Sequence, residues 1–409
     1  MDVVPDRRGC RGLGGMPGPL TALEDEWRAE LVAVGYGRSS VAGALQYWRA
    51  LDRWMAANCL AVADLTEARV DEFLTDSDQS SRGAIHARRW LGGVWRFLLE
   101  RGLVRESEPV ALTSLDALLV EFAVWLRNER GLADASVRSY RIQAHKFLVQ
   151  LRGPLDDALA GLDAVSVTTF MVNQTVASPS VWSAKALVTA MRSLLRFLHV
   201  DGRIPMPLIA AVPGVAGWRL SGLPRGLMSG QVDALLAAHD LTDPVGLRDH
   251  AILVTLARLG LRGAEVASIN LRDIDWHAGE IVVLGKGSRL ERLPLPAEVG
   301  AALAAYLSNS RPSCSCATVF VTARAPFRSL TPGAVRAIMG RACRHAGLPR
   351  LGAHRLRHTL ATGMLAAGAP LTEIGQVLRH RSQLSTAIYA KVDFETLRTL
   401  ARPWPGELS

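Results

Sequence analysis

The segment from Gly352 to Tyr389 concentrates side chains that can handle a phosphate ester. It opens with His354-Arg355-Leu356-Arg357-His358-Thr359, continues through an apolar, helix-compatible stretch, and closes on Leu378-Arg379-His380 and then Tyr389. His354 and Arg357 stand three apart, so one helical turn projects both from the same face and they can hold one anion from neighbouring directions. The Arg357 guanidinium is a planar fork with a permanent charge, matched to two oxygens of one phosphate. Tyr389 offers a phenol oxygen as nucleophile, which would leave a covalent phosphotyrosyl link and so conserve the energy of the broken bond. Such chemistry consumes no nucleotide cofactor.

His354-x-x-Arg357, followed by Leu378-x-His380 and then Tyr389, resembles the catalytic core of the tyrosine recombinases, the phage-integrase-like enzymes. Leu259-Gly260-Leu261-Arg262-Gly263-Ala264-Glu265 resembles that family's first arginine motif, and Gly285-Lys286-Gly287-Ser288-Arg289 with Leu290 to Pro294 resembles its lysine hairpin. These elements span most of residues 225–402, and the six active positions, Arg262, Lys286, His354, Arg357, His380 and Tyr389, fall in the family's order. The resemblance implies a mainly α fold with a small β component (α+β): helical, SAM-like core-binding modules followed by a catalytic domain. It also implies double-stranded DNA as substrate, a 3′-phosphotyrosyl intermediate, neither metal nor cofactor, and a homo-oligomer on DNA, a tetrameric synapse, or assembly with related recombinases. The family usually has Gly before its final His. Here Arg379 stands there, with Arg381 beyond, and a side chain at that turn either crowds the pocket or adds a phosphate contact.

Within this frame Arg262 and Arg357 stabilise charge on the nonbridging oxygens, with His380 as a third donor. Only four lysines occur beside 43 arginines, yet the hairpin tip keeps Lys286. Arginine cannot deliver a proton near neutral pH and lysine in a cationic pocket can, so Lys286 is the expected general acid to the departing 5′-oxygen, the alternative being a point charge on phosphate. His354 either helps to deprotonate Tyr389 or positions the phosphate. His358 is expected to pack or hydrogen-bond within the fold, and Glu265 to hold an arginine or the backbone. Of the other tyrosines, Tyr36, Tyr47 and Tyr140 belong to helical modules, and Tyr306 lies in an apolar helical stretch that reads as core.

Charge supports a polyanionic partner. Residues 225–402 carry 22 Lys+Arg against 13 Asp+Glu, while the rest of the chain balances 25 against 25. The excess of +9 in the catalytic part favours DNA and predicts binding that weakens with salt. Charged residues interrupt every apolar run before it reaches membrane-span length, and Met1 to Pro19 lacks the apolar core of a secretory signal, so a cytoplasmic protein, nucleoid-associated when on DNA, is expected. The five cysteines are scattered and odd in number, which argues against a disulfide framework; Cys314-Ser315-Cys316 has no second pair at zinc-ligand spacing.

Residues 1–20 read as a disordered leader rich in Gly, Pro and Arg, and 403–409 as a tail. Helical periodicity covers 21–105 (Leu45, Trp48, Leu51, Trp54, Met55; Trp90, Leu91, Val94, Phe97, Leu98). Residues 113–204 repeat that layout, with Ser136-Val137 answering Ser40-Val41 and Gly202 answering Gly102. The second module resembles the family's core-binding domain, with Arg138, Arg141, Lys146, Lys185 and Arg192 as candidate phosphate contacts. The first, carrying 11 basic against 12 acidic residues, is expected to be a duplicated clamp that now joins subunits. Pro and Gly from 205 to 224 forbid a long helix and read as a linker. The expected function is site-specific recombination that integrates, excises or transposes a mobile element. A topoisomerase IB-like nicking and closing enzyme and a catalytically weak accessory protein are the alternatives.

Overall fold

The computed structural model describes residues 18–76, 81–105, 112–177, 181–215, 226–285, 289–380 and 383–389. Residues 1–17 of the expected leader, residues 216–224 of the Pro/Gly-rich linker, Lys286, Arg381, the part beyond Tyr389 of a helix expected from Ala387 to Leu400, and the tail lie outside these residues.

The architecture is mainly helical with one small sheet. Helices α1 (Glu24–Ala33), α2 (Arg38–Ala57), α3 (Glu67–Asp76) and α4 (Ser81–Glu100) come first. They are followed by α5 (Ser114–Asn128), α6 (Asp134–Leu148), α7 (Leu155–Ala160), α8 (Ala164–Val176) and α9 (Val181–Val200). The two strings share their punctuation. Gly35 and Gly131 both leave the first helix with positive φ, and Gly102 and Gly202 do the same after the last. By compactness the chain forms two units, residues 106–221 and residues 1–105 together with 222–409. Within the larger unit the first helical string keeps its own apolar cluster around Trp27, Trp48 and Phe97, apart from the core of the later part. Side chains of the Leu and Phe type buried in these clusters each contribute about 1.5–3 kcal/mol.

The remainder comprises α10 (Ser229–Leu236), α11 (Pro244–Leu259), α12 (Gly263–Ser268), strands β1 (Ile274–Asp275), β2 (Glu280–Leu284) and β3 (Leu290–Pro294), then α13 (Ala297–Asn309), α14 (Pro332–His345), α15 (Ala353–Ala366), α16 (Leu371–Val377) and the single turn α17 (Gln383–Thr386). The strands form an antiparallel meander in the order β1-β2-β3, with Val283 opposite Glu291 and Leu284 opposite Leu290. Helix α11 starts at Pro244, because Asp243 caps it by accepting the Gly246 N–H at 3.1 Å and proline suits the first helical position. Its buried face (Ala251 to Leu256) anchors the core, against which α13 places Tyr306, 1 % exposed and stacked on Phe320.

Among the described residues Cys314, Cys316 and Cys343 are free thiols. Among the described residues no three His, Cys, Asp or Glu side chains are grouped to hold a metal ion, and no helix is long and apolar enough to cross a membrane.

Candidate active site

The site is assembled where the end of α11 meets α12, α15 and the turn after α16. Helix α11 ends because Gly260 turns left-handed (φ 57°), and a side chain at Gly260 would also meet Leu360 at 2.9 Å and Leu378 at 3.0 Å. Glycine thus serves twice, in dihedral freedom and in letting the backbone approach α15 closely. The reversal buries Leu261 and leaves Arg262 half-buried at the start of α12. There the Arg262 N–H donates to Glu265 Oε2 at 2.8 Å and its Nη1 to Glu265 Oε1 at 2.5 Å. Glu265 is buried. Burial alone would raise its pKa, but the Arg262 amide, the Arg379 charge and the Arg262 side chain together hold it below the usual carboxylate range.

Arg357 projects inward from the second turn of α15 and is 4 % exposed. Its Nη1 donates to the Gly260 carbonyl at 2.7 Å and its Nη2 to the Leu378 carbonyl, so one guanidinium brackets the first arginine motif to the turn before His380. Desolvation, followed by the nearby charges of Arg262 and Arg379, brings its pKa down to about 10, which leaves it cationic at neutral pH.

Tyr389 follows α17 and is 1 % exposed, packed on Ala361, Ile374 and Leu378. Its Oη lies 2.8 Å from Nδ1 of His358, and its ring stacks parallel to His380 at 6.3 Å between centroids. Desolvation raises the phenol's pKa, and the charge of Arg357 partly offsets the rise. His380 is held by Thr386 Oγ1, 2.8 Å from its Nδ1; burial and then Arg357 and Arg262 push its pKa down to about 4. It is therefore a neutral imidazole that donates through one N–H. Burial, then His354, likewise lowers the pKa of His358.

The structure thus brings Arg262, Arg357, His380 and Tyr389 together, with His354 on the adjoining turn of α15. His354 keeps an exposed edge while partial desolvation and then Arg357 and Arg262 lower its pKa. Lys286 falls in the undescribed tip between β2 and β3. The imidazole that meets the phenol is His358, whereas the sequence reading gave any such contact to His354. The signal was present: His354 and His358 are four apart and share a helical face, as do His354 and Arg357 by the rule of three. Arg379 is the second residue underestimated. It adopts φ 54°, a left-handed conformation that costs a non-glycine residue roughly 1–2 kcal/mol, and its side chain turns in to Glu265 instead of out to solvent. In the 106–221 unit, Arg138, Arg141 and Lys146 are exposed on α6, Lys185 is half-buried on α9, and the exposed Arg192 donates to the Val212 carbonyl at 3.1 Å.

Comparison with known proteins places this geometry. Residues 226–396 match the model of the phage integrase family. A protein of Sinorhizobium fredii (strain NBRC 101917 / NGR234) named as an integrase/recombinase, y4rA, is 38 % identical over 93 % of this chain and 93 % of its own length. Tyrosine recombinase XerC of Oceanobacillus iheyensis is 29 % identical over 70 % of this chain and 95 % of its own. Among solved structures, the XerH site-specific recombinase bound to palindromic difH substrate covers 70 % of this chain and 84 % of its own at 20 % identity (TM-score 0.54). A lambda integrase dimer bound to a COC′ core site covers 67 % and 94 % at 18 % identity (TM-score 0.51), and these two likenesses speak to the fold. The chain belongs to the phage integrase family: it is a tyrosine-type site-specific recombinase that acts on DNA.

Proposed function

We propose that this recombinase breaks and rejoins DNA strands through a 3′-phosphotyrosyl intermediate on Tyr389, in the integration, excision or transposition of a mobile element. In the cleavage step Tyr389 Oη bonds to the scissile phosphorus while the bond from phosphorus to O5′ breaks. The phenol's proton passes to the bare Nδ1 of neutral His358, and the Lys286 ammonium gives a proton to the departing O5′. Arg262 and Arg357 carry the charge that builds on the nonbridging oxygens, with His380 donating beside them and His354 positioning the phosphate. In the return step a 5′-hydroxyl attacks the phosphotyrosine, its proton goes to the lysine amine, and the phenolate recovers its own from His358. Phosphoryl bond energy is kept throughout, so no nucleotide is consumed.

The observation that supports this most is the Tyr389 phenol beside a neutral imidazole, within the field of a buried arginine that itself pins both neighbouring motifs. The structural relatives, XerH bound to a difH substrate and a lambda integrase dimer bound to a core site, support double-stranded DNA as partner. On this reading the second helical module clamps the duplex, with Arg138, Arg141, Lys146, Lys185 and Arg192 as phosphate contacts, and four protomers form the synapse. The first module joins subunits. Strand exchange between two differently labelled duplexes carrying the target site tests this: exchanged products in a tetrameric complex are expected, and nicking with closure confined to one duplex would reassign the enzyme to relaxation chemistry.

A further inference from the structure

The turn before His380 contains a side chain whose costs call for a return. Arg379 holds a left-handed backbone (φ 54°), and its side chain is only 5 % exposed. Nη2 donates to Glu265 Oε2 at 2.8 Å, and Nε stands 3.4 Å from Oε2 of Glu291 on β3. Among the described residues, Nε and Nη1 have no hydrogen-bond partner and are covered by protein. A strained dihedral and two unsatisfied buried donors oppose folding. Glycine at this position would remove both.

What Arg379 does engage is the carboxylate that also holds Arg262. Glu265 gives Oε1 to the Arg262 side chain and shares Oε2 between the Arg262 amide and Arg379. With Arg379 present, Arg262, Arg357 and Arg379 face the two carboxylates of Glu265 and Glu291, a local charge of +1; without it, two cations face two carboxylates and the local charge is zero. A phosphodiester carries one negative charge, and more accumulates on its oxygens during displacement, so the third guanidinium matters most at the transition state. Because the unpartnered nitrogens are covered, the effect runs through Glu265, not through a contact with DNA.

We propose that Arg379 is a positioning residue: by engaging Glu265 it draws that carboxylate's charge away from Arg262 and keeps the Arg262 guanidinium available to the scissile phosphate. The proposal rests on Arg262 binding that phosphate. It is tested in the full-length protein by single-turnover cleavage of a nicked duplex under Arg379→Gly and Arg379→Lys, alone and combined with Arg262→Ala. Arg379→Gly is expected to slow cleavage at least tenfold with site affinity unchanged, and Arg379→Lys to recover part of the loss by restoring the charge. In the Arg262→Ala background, Arg379→Gly is expected to add less than twofold, because its route is already gone. A methylphosphonate at the scissile position, which lacks one anionic oxygen, is expected to narrow the gap between wild type and Arg379→Gly.

Full-rate cleavage by Arg379→Gly, or losses that multiply in the double variant, would overturn the proposal. A substitution that merely disturbs folding weakens site binding and slows both substrates alike, and that pattern too counts against it. Wild-type protein that binds DNA yet never forms an adduct would instead remove the recombinase reading on which the proposal stands.

Discussion

The Tyr389 phenol oxygen and His358 Nδ1 lie 2.8 Å apart inside a pocket that lowers the pKa of the imidazole and raises that of the phenol. Desolvation has opposite effects on the two groups because it favours the neutral form of each. The resting pair is therefore neutral and hydrogen-bonded, with an imidazole nitrogen already in contact with the proposed nucleophile. Replacing His358 by Ala is expected to slow adduct formation by about 100-fold or more, the usual scale for a removed general base, with DNA affinity kept. Single-turnover cleavage measures it, and His354→Ala in the same assay should leave a faster enzyme than His358→Ala.

Acid should weaken the fold through His380. Folding lowers its pKa to about 4 from the ordinary 6.5, so the unfolded chain binds that proton more readily than the folded one. The contribution is complete above pH 6.5 and is lost as pH falls through 4. Thermal melting from pH 7.5 to 4 should show this decline, and His380→Gln should flatten it over that window.

Glu265 is buried between two guanidinium groups. Glu265→Ala leaves Arg262 and Arg379 facing one another without their carboxylate and is expected to cost roughly 3 kcal/mol, the scale of a broken buried pair. Urea unfolding reads the loss. Glu265→Gln, which can still accept the Arg262 N–H, should lose less.

Gly260→Ala tests the close approach of α11 to α15. The added methyl would stand 2.9 Å from Leu360 and 3.0 Å from Leu378 in a left-handed backbone, at the carbonyl that receives Arg357. A loss of at least 1–2 kcal/mol is expected from the dihedral alone, together with slower cleavage because Arg357 loses its bracket. Equilibrium unfolding and a cleavage assay on the same preparation would separate the two effects.

Much of this site was legible in the sequence because its parts are local. Arg262 and Glu265 are three apart, as are His354 and Arg357, and such pairs stay together on one turn of helix. The β2–β3 hairpin was legible because Gly285 to Pro294 resembles the family's lysine hairpin. The two-residue β1 was not, since two residues carry no period. The contact of His358 with Tyr389 spans 31 positions and depends on where α17 delivers the phenol, which no spacing rule encodes. Arg379 was visible only as a departure; that it turns inward to Glu265, 114 positions away, is a property of the folded pocket.

The proposed chemistry depends on Tyr389 as the attacking group. Incubating the protein with a nicked duplex that loses its leaving fragment, digesting the trapped complex and sequencing the DNA-linked peptide by mass spectrometry tests that directly. A 3′-phosphate ester on Tyr389, absent from a Tyr389→Phe variant that still binds the site, is the predicted result. An adduct on another residue, or one that survives Tyr389→Phe, would contradict it.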